Sequence, residues 1–140
     1  MSPLLGVLLA SCGAEPRACN LETEITAHAG SDATNCGEVE VDGDATVVDA
    51  CVVDAFSGRA AFFARYWQQG IDTGEVLSLT GNGHGDLRLI QWSTPVFNDS
   101  KSTGRAASCD NPRAARSLFE DTTWLPITCS SMTALPRPCR

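Results

Sequence analysis

The fold is decided by residues 46–93, TVVDACVVDAFSGRAAFFARYWQQGIDTGEVLSLTGNGHGDLRLIQWS. An apolar pattern of helical period comes first, and three runs rich in aromatic and branched residues follow, separated by glycines. Apolar residues every three to four positions indicate one face of a helix, whereas alternation indicates a strand. We therefore predict a helix followed by a three-stranded meander.

The predicted helix begins at Thr46. Thr46 and Asp49 have the spacing of a capping box, in which the two side chains bond backbone N–H groups at the start of the helix. Ser57 and Gly58 predict its end. Cys51 lies within the apolar stripe, which favours a disulfide over a catalytic thiol, because a reactive thiol needs exposure and a nearby base. The stripe consists of Val48, Cys51, Val52, Ala55 and Phe56.

Three strands are predicted at residues 60–68, 75–80 and 87–92. The loop at residues 81–86, GNGHGD, begins like a dinucleotide-binding fingerprint. Asp86 occupies the third glycine position, and the next segment alternates like a strand where the fingerprint requires a helix. The loop is therefore interpreted as a tight turn with an exposed His84, and no cofactor is predicted.

Two tryptophans are the candidate binding residues. Trp67 ends the first strand of the meander and Trp92 ends the third, so both are expected at one edge of the sheet. Two strand spacings separate them, about 9.5 Å. Aromatic platforms of this kind bind sugars or bases by stacking, although packing within the core is the alternative interpretation.

The flanking segments carry weaker patterns. Alternation predicts a half-buried strand at residues 37–43 and an edge strand at 21–26. An N-cap followed by proline predicts a short helix at residues 112–119, and an edge strand is predicted at 124–129. The predicted fold class is α+β: one amphipathic helix packed on an antiparallel meander of about four to five strands, held by disulfides.

Composition excludes several classes of function. The 140 residues are enough for one domain, and the formal net charge of −7 argues against nucleic acid, whose binding needs a basic face. Asp42-Gly43-Asp44 lacks the further oxygen ligands of an EF-hand loop, so it is interpreted as a solvated acidic face. No metal site is predicted.

Seven cysteines are present, and none forms a C-x-x-C pair. Zinc ribbons and thioredoxin-like sites use that pair, so the dispersed cysteines indicate disulfides in an oxidising compartment. An odd number leaves one cysteine to be explained. The seven are Cys12, Cys19, Cys36, Cys51, Cys109, Cys129 and Cys139.

The amino terminus explains the odd cysteine. Residues 4–10 form an apolar run too short to span a bilayer, and Leu9-Ala10-Ser11-Cys12 follows the pattern of a branched residue, two small residues and cysteine. This pattern resembles the lipobox of bacterial lipoproteins. No Lys or Arg precedes the run, although signal peptides begin with a charged region. A start site assigned too far downstream would account for that.

The resemblance implies a processing scheme. Residues 1–11 would be the lipoprotein signal peptide, Cys12 the acylated (palmitate-bearing) first residue, 12–18 a lipidated tether, and 19–140 a single disulfide-bonded domain. The implied location is the cell envelope, at the outer membrane or the periplasmic face, with the membrane as a partner through the lipid. Gly13 agrees with sorting to the outer membrane.

Removing Cys12 leaves six cysteines, an even number. Six cysteines allow fifteen connectivities, and sequence alone does not choose among them. Our proposed ordering pairs Cys36 with Cys51, Cys109 with Cys129, and Cys19 with Cys139. These bonds would join strand to helix, close the carboxy-terminal excursion and tie the two tails.

Three classes of function are carried forward. The leading hypothesis is a non-enzymatic, lipid-anchored envelope module that binds an envelope protein or glycan. The second is an inhibitor of a secreted enzyme, presenting loops at residues 72–75 or 82–86. The third, and weakest, is a hydrolase that uses His84, Asp86 and Ser93.

Overall fold

The computed structural model describes residues 20–70, 73–95, 103–114 and 125–136. Within these ranges six strands form one sheet in the order β1-β2-β3-β4-β5-β8, and β6 pairs with β7 separately. Neighbouring strands of the large sheet are antiparallel except β1 and β2. The elements are α1 Leu21–Ala29, β1 Thr34–Val39, α2 Thr46–Ser57, β2 Ala61–Gln69, β3 Thr73–Asn82, β4 Leu87–Pro95, β5 Thr103–Asp110, β6 Arg113–Ala114, β7 Ile127–Thr128 and β8 Ser131–Ala134.

The predicted α+β class is confirmed, with differences in detail. The meander is present as β2, β3 and β4, and β5 extends it. The large sheet has six strands, one more than the upper end of the prediction, and the described residues contain two helices in place of one. It also contains a parallel pair, because β1 and β2 are joined through α2, and parallel neighbours require such a crossover.

One face of the sheet packs against α2. Alternate residues of β2 point to this face, where Phe62, Ala64 and Tyr66 are 1%, 0% and 2% exposed. The apolar stripe of α2 meets them as predicted, with Val48 and Val52 buried. The core on this face contains Cys36, Val39, Val48, Val52, Phe62, Ala64, Tyr66, Leu79, Leu87, Cys109 and Ile127.

The other face is covered by α1, where the prediction of an edge strand at residues 21–26 was wrong. Asn20 caps this helix, because its Oδ1 accepts a hydrogen bond from the backbone N–H of Thr23 at 2.8 Å. Acidic residues in the first turn favour the positive end of the helix dipole. The buried residues of this helix, Ile25 and Ala29, are four positions apart, which is the spacing of one helix face. The segment therefore forms a helix despite its alternating pattern.

The carboxy-terminal predictions were partly wrong. Arg113–Ala114 forms strand β6 where a helix at 112–119 was expected, and residues 115–119 lie outside the described residues. The strand expected at 124–129 is present as Ile127–Thr128. Two strands of the large sheet, β5 and β8, were not predicted. Their side chains are mostly small or polar, so no alternation of large apolar residues marks them.

Two of the three proposed disulfides are confirmed. Cys36 and Cys51 join β1 to α2 with their Cα atoms 5.5 Å apart. Cys109 and Cys129 join β5 to the segment after β7 with their Cα atoms 5.2 Å apart. Cys19 and Cys139 lie outside the described residues, so their bond stays a prediction.

Peptide mapping under non-reducing conditions tests the third bond. We expect a cross-linked peptide that contains Cys19 and Cys139 and separates on reduction. The Cys36–Cys51 and Cys109–Cys129 peptides serve as internal controls in the same digest. Recovery of Cys19 as a free thiol would contradict the prediction.

A glycine in β3 makes room for the largest fully buried side chain of the core. Gly81 pairs with Phe62 across the β2–β3 ladder, and a Cβ atom at position 81 would lie 2.4 Å from Cε1 of the Phe62 ring. Side-chain atoms do not approach so closely, so the ring occupies the space that glycine leaves free. The ring of Phe62 is thereby able to pack directly against Gly81 of β3.

Substituting Gly81→Ala should destabilise the protein by about 1–3 kcal/mol, because the added methyl group overpacks the core. Gly74→Ala, in the same strand, is the matched control, since a Cβ there would meet only the Thr94 carbonyl oxygen at 3.9 Å. Chemical denaturation of both variants measures the difference. Equal free energies of unfolding would contradict the role assigned to Gly81.

Candidate binding cleft at the ends of β1 and β2

A cleft of about 390 Å³ opens where β1 and β2 end. The two strands are parallel, so they leave the sheet at the same edge, and the loop from β1 to α2 forms one wall. Small-molecule sites in proteins begin at about 300 Å³, so this cleft is of sufficient size. It is lined by Val39, Glu40, Val41, Asp42, Gly43, Ala45, Tyr66, Trp67, Gln68 and Gln69.

Trp67 supplies the aromatic surface of the cleft. Its indole is partly exposed, at 37%, and its Nε1 donates a hydrogen bond to Oε2 of Glu38 at 3.2 Å. Val41 is 42% exposed on the opposing loop. Large apolar side chains left in water beside a cavity are typical of binding sites. The hydrogen bond fixes the indole before any ligand arrives.

The other oxygen of Glu38 bonds to Arg65. Arg65 Nη1 donates to Oε1 of Glu38 at 3.1 Å, and Nη2 forms an ion pair with Glu22 of α1. The guanidinium carbon also lies 5.3 Å from the centre of the Phe63 ring. Burial lowers the pKa of Arg65, yet an arginine remains charged in proteins. This arrangement holds α1, β1 and β2 together beside the cleft.

The rim of the cleft is acidic. Glu40 and Asp42 are exposed, and within the described residues no hydrogen bond or ion pair engages either carboxylate. The sequence from 37 to 58 contains six acidic residues and no Lys or Arg. Glu38 shares Arg65 with Glu22, whereas Glu40 and Asp42 have no cationic partner among the described residues. A concave surface lined by one sign of charge concentrates ions of the opposite sign.

Tyr66, which lines the cleft, is hydrogen-bonded to Asp49 of α2. The Tyr66 hydroxyl donates to Oδ1 of Asp49 at 2.7 Å. Burial raises the pKa of Asp49, the Tyr66 hydrogen bond opposes that rise, and the charge of Asp44 adds to it. Burial, and then the bond to Asp49, likewise raises the pKa of Tyr66.

The capping box predicted for α2 was therefore wrong. Ala45 is the N-cap and makes no side-chain cap bond. Asp44 takes the role of acceptor instead, because its Oδ1 accepts from the backbone N–H of Thr46 at 2.9 Å and from the Thr46 hydroxyl at 2.6 Å. These bonds lower the pKa of Asp44. Asp49 is thus left to bind Tyr66.

The two predicted tryptophans lie in one row across the sheet. Trp67 pairs with Val76, and Val76 pairs with Trp92, so two strand spacings separate the indoles. Trp92 is only 6% exposed, however, whereas Trp67 reaches the cleft. The row therefore presents one accessible indole to solvent.

The residues of the hydrolase hypothesis are not brought together. Asp86 precedes β4 and Ser93 lies near its end, seven residues away, or about 20 Å along an extended strand. His84 is exposed at the turn, where its backbone N–H bonds Oδ1 of Asn82 at 2.8 Å. The histidine that does lie in a cavity is His28, which sequence analysis did not single out.

The second cavity has a volume of about 260 Å³ and lies between α1 and the β3–β4 turn. Nε2 of His28 lies 3.3 Å from the Asp86 carbonyl oxygen. Burial, and then the charge of Arg88, lowers the pKa of His28. The hydrogen bond of its ring goes to a backbone oxygen and burial disfavours its charged form, so His28 has the surroundings of a packed histidine.

Comparisons with known proteins assign no family to the chain. No family model, curated protein or solved structure matched the chain. In the part of the chain that the structure describes, no three His, Cys, Asp or Glu side chains lie close enough to hold a metal ion. Neither described helix is long and apolar enough to cross a bilayer.

The raised pKa of Asp49 makes the free energy of unfolding depend on pH. The ordinary pKa is 3.8, so the unfolded chain loses this proton at lower pH than the folded protein. The contribution of Asp49 is therefore full below that value and is lost as the pH rises through the higher folded pKa. Asp49→Asn keeps an oxygen to accept from Tyr66 and removes the titration.

Denaturant melts across the acidic range measure this effect. The wild type should lose stability relative to Asp49→Asn as the pH rises from about 4 towards neutrality. Tyr66→Phe should enlarge the loss, because the tyrosine hydroxyl opposes the rise of the Asp49 pKa. Parallel profiles for wild type and Asp49→Asn would contradict this account.

Proposed function

We propose that this protein is a lipid-anchored module of the bacterial cell envelope that binds a ligand in the cleft at Trp67 and performs no catalysis. The observation that carries the binding role is the indole of Trp67, fixed by Glu38 and left partly exposed beside a cavity of about 390 Å³. A rigid aromatic surface loses little conformational entropy on binding.

Two observations support the location. The disulfides Cys36–Cys51 and Cys109–Cys129 indicate an oxidising, non-cytoplasmic compartment. Leu9-Ala10-Ser11-Cys12 resembles the lipobox, which would place a lipid on Cys12 and a tether between that lipid and the domain. An envelope protein or a glycan is the expected class of partner.

The residues of the cleft favour binding over catalysis. Its described lining contains no Ser, Cys, His or Lys to act as a nucleophile or base. The one pair of carboxylates, Glu40 and Asp42, is exposed, whereas a glycosidase needs one carboxyl group in a desolvated setting to stay protonated. The Tyr66 hydroxyl is engaged by Asp49.

Inhibition of a secreted enzyme is the second candidate. The turn after β3 is held by the Asn82 side chain, whose Oδ1 accepts from the backbone N–H groups of His84 at 2.8 Å and Asp86 at 3.3 Å. Protease inhibitors present such rigid, exposed loops. Inhibition of a secreted protease at equimolar protein would favour this function over ligand binding in the cleft.

Membrane fractionation of wild type and Cys12→Ala tests the anchor. The wild type should sediment with membranes and incorporate a labelled palmitate analogue, whereas Cys12→Ala should lose the label and its membrane fraction. Intact Cys36–Cys51 and Cys109–Cys129 bonds in Cys12→Ala serve as the control for folding. An unchanged distribution would remove the anchor from the proposal.

Capture of partners from envelope extracts tests the cleft. Trp67→Ala should lose a partner that the wild type retains, because the substitution removes the aromatic surface. Met132→Ala is the matched control, since Met132 is also exposed, at 48%, but lies on β8 at the opposite edge of the sheet. Equal capture by wild type and Trp67→Ala would exclude the cleft as the binding surface.

A further inference from the structure

We propose that the ligand of this cleft carries a primary alkylammonium group, that is, a short aliphatic chain with a cationic end. The inference rests on the proposed binding function and names its chemical class. Its geometric basis is the combination of an exposed indole and an exposed valine with two uncompensated carboxylates around one cavity.

The apolar half of the site fits an aliphatic chain. Trp67 and Val41 both line the cleft and both keep part of their side chains in water. An aliphatic chain between them would remove apolar surface from solvent, which is favourable in proportion to the area buried. The indole face also attracts a cation within about 6 Å of its centre.

The charged half of the site selects the sign of the ligand's charge. Glu40 and Asp42 lie on the rim, and in the described part of the chain no cationic side chain lines the cavity. The nearest arginine of the sheet, Arg65, is already bound to Glu22 and Glu38. An anion would be repelled, and a neutral ligand would leave both carboxylates without a counter-charge.

The same arrangement explains why Glu38 is not part of the charge-selecting pair. Its two oxygens are occupied, one by Arg65 and the other by the Trp67 indole. Glu38 therefore positions the indole, whereas Glu40 and Asp42 are available to bind the ammonium. The three acidic residues of this short segment thus divide into one positioning residue and two ligand-binding residues.

Titration of the purified protein, followed by ¹H–¹⁵N NMR, tests the proposal with three probes of similar shape. Pentylammonium is the cation, pentan-1-ol its neutral control and pentanoate its anionic control. Pentylammonium should shift the resonances of residues 39–43 and 66–69. We expect it to bind at least about tenfold more tightly than the alcohol, and more weakly as salt screens the charges.

Charge variants identify the carboxylates. Glu40→Gln with Asp42→Asn should weaken pentylammonium binding by about tenfold or more and leave pentanol binding unchanged. Asp32→Asn with Asp54→Asn is the matched control, because it removes two exposed carboxylates from outside the cleft. Trp67→Phe should weaken the binding of both pentylammonium and pentanol, while the preference for the cation over the alcohol should remain.

A blocked alanine pentapeptide with one central lysine distinguishes the two sources of the group. Tighter binding of the peptide than of pentylammonium would assign the cleft to a lysine side chain of a partner, and the reverse would assign it to a free amine. If neither binds more tightly than pentanol, the alkylammonium proposal is overturned. If the wild type still captures a partner that Trp67→Ala does not capture, the proposed binding function of the cleft would remain supported in that case.

Discussion

The disulfide between Cys36 and Cys51 is the constraint on which the rest of the structure depends. It joins β1 to α2 and closes a ring that contains the whole connection between them, a separation of 15 residues. A bond across a loop of this length stabilises a protein by about 3 kcal/mol in the chain-entropy model. Because β1 is an edge strand held by a single parallel neighbour, this covalent link keeps the wall of the cleft next to the sheet.

Arg65 makes a second, noncovalent link at the same edge of the sheet. One guanidinium joins Glu22 of α1 to Glu38 of β1 from its own position on β2. A partly buried arginine with two carboxylate partners is worth more than an exposed ion pair, since less water screens it. Glu38 in turn accepts the hydrogen bond of Trp67, so the position of the indole depends on a network that includes α1, β1 and β2.

Patterns that are local in sequence predicted much of this fold. The apolar stripe of α2 and the alternating pattern of β2 predict which residues are buried, because one side of each element packs against the core. Helix α1 was predicted as a strand because three alternating residues concealed a helical pair, Ile25 and Ala29, and the capping role of Asn20 was not recognised. Strands β5 and β8 were not predicted, because their small side chains give no alternation of large apolar residues.

The candidate site was predictable only in part. Trp67 stood out as an aromatic residue at the end of a strand, and the structure places it in the cleft. The cleft itself depends on β1 and β2 being parallel, a pairing that no local pattern encodes. The burial of Trp92 likewise depends on what covers its face of the sheet, so the register of the two tryptophans was predictable and their unequal exposure was not.

The order of the strands has a consequence for how the chain folds. From β1 to β5, every strand pairs with the strand that follows it in the sequence, and β8 rejoins β5 across a segment that the Cys109–Cys129 bond closes. Contacts between sequence neighbours need little loop closure, and rates of folding rise as contacts become more local. The antiparallel pairs from β2 to β5 join strands that are consecutive in the sequence, and we expect this sheet to fold faster than a Greek-key sheet of the same size.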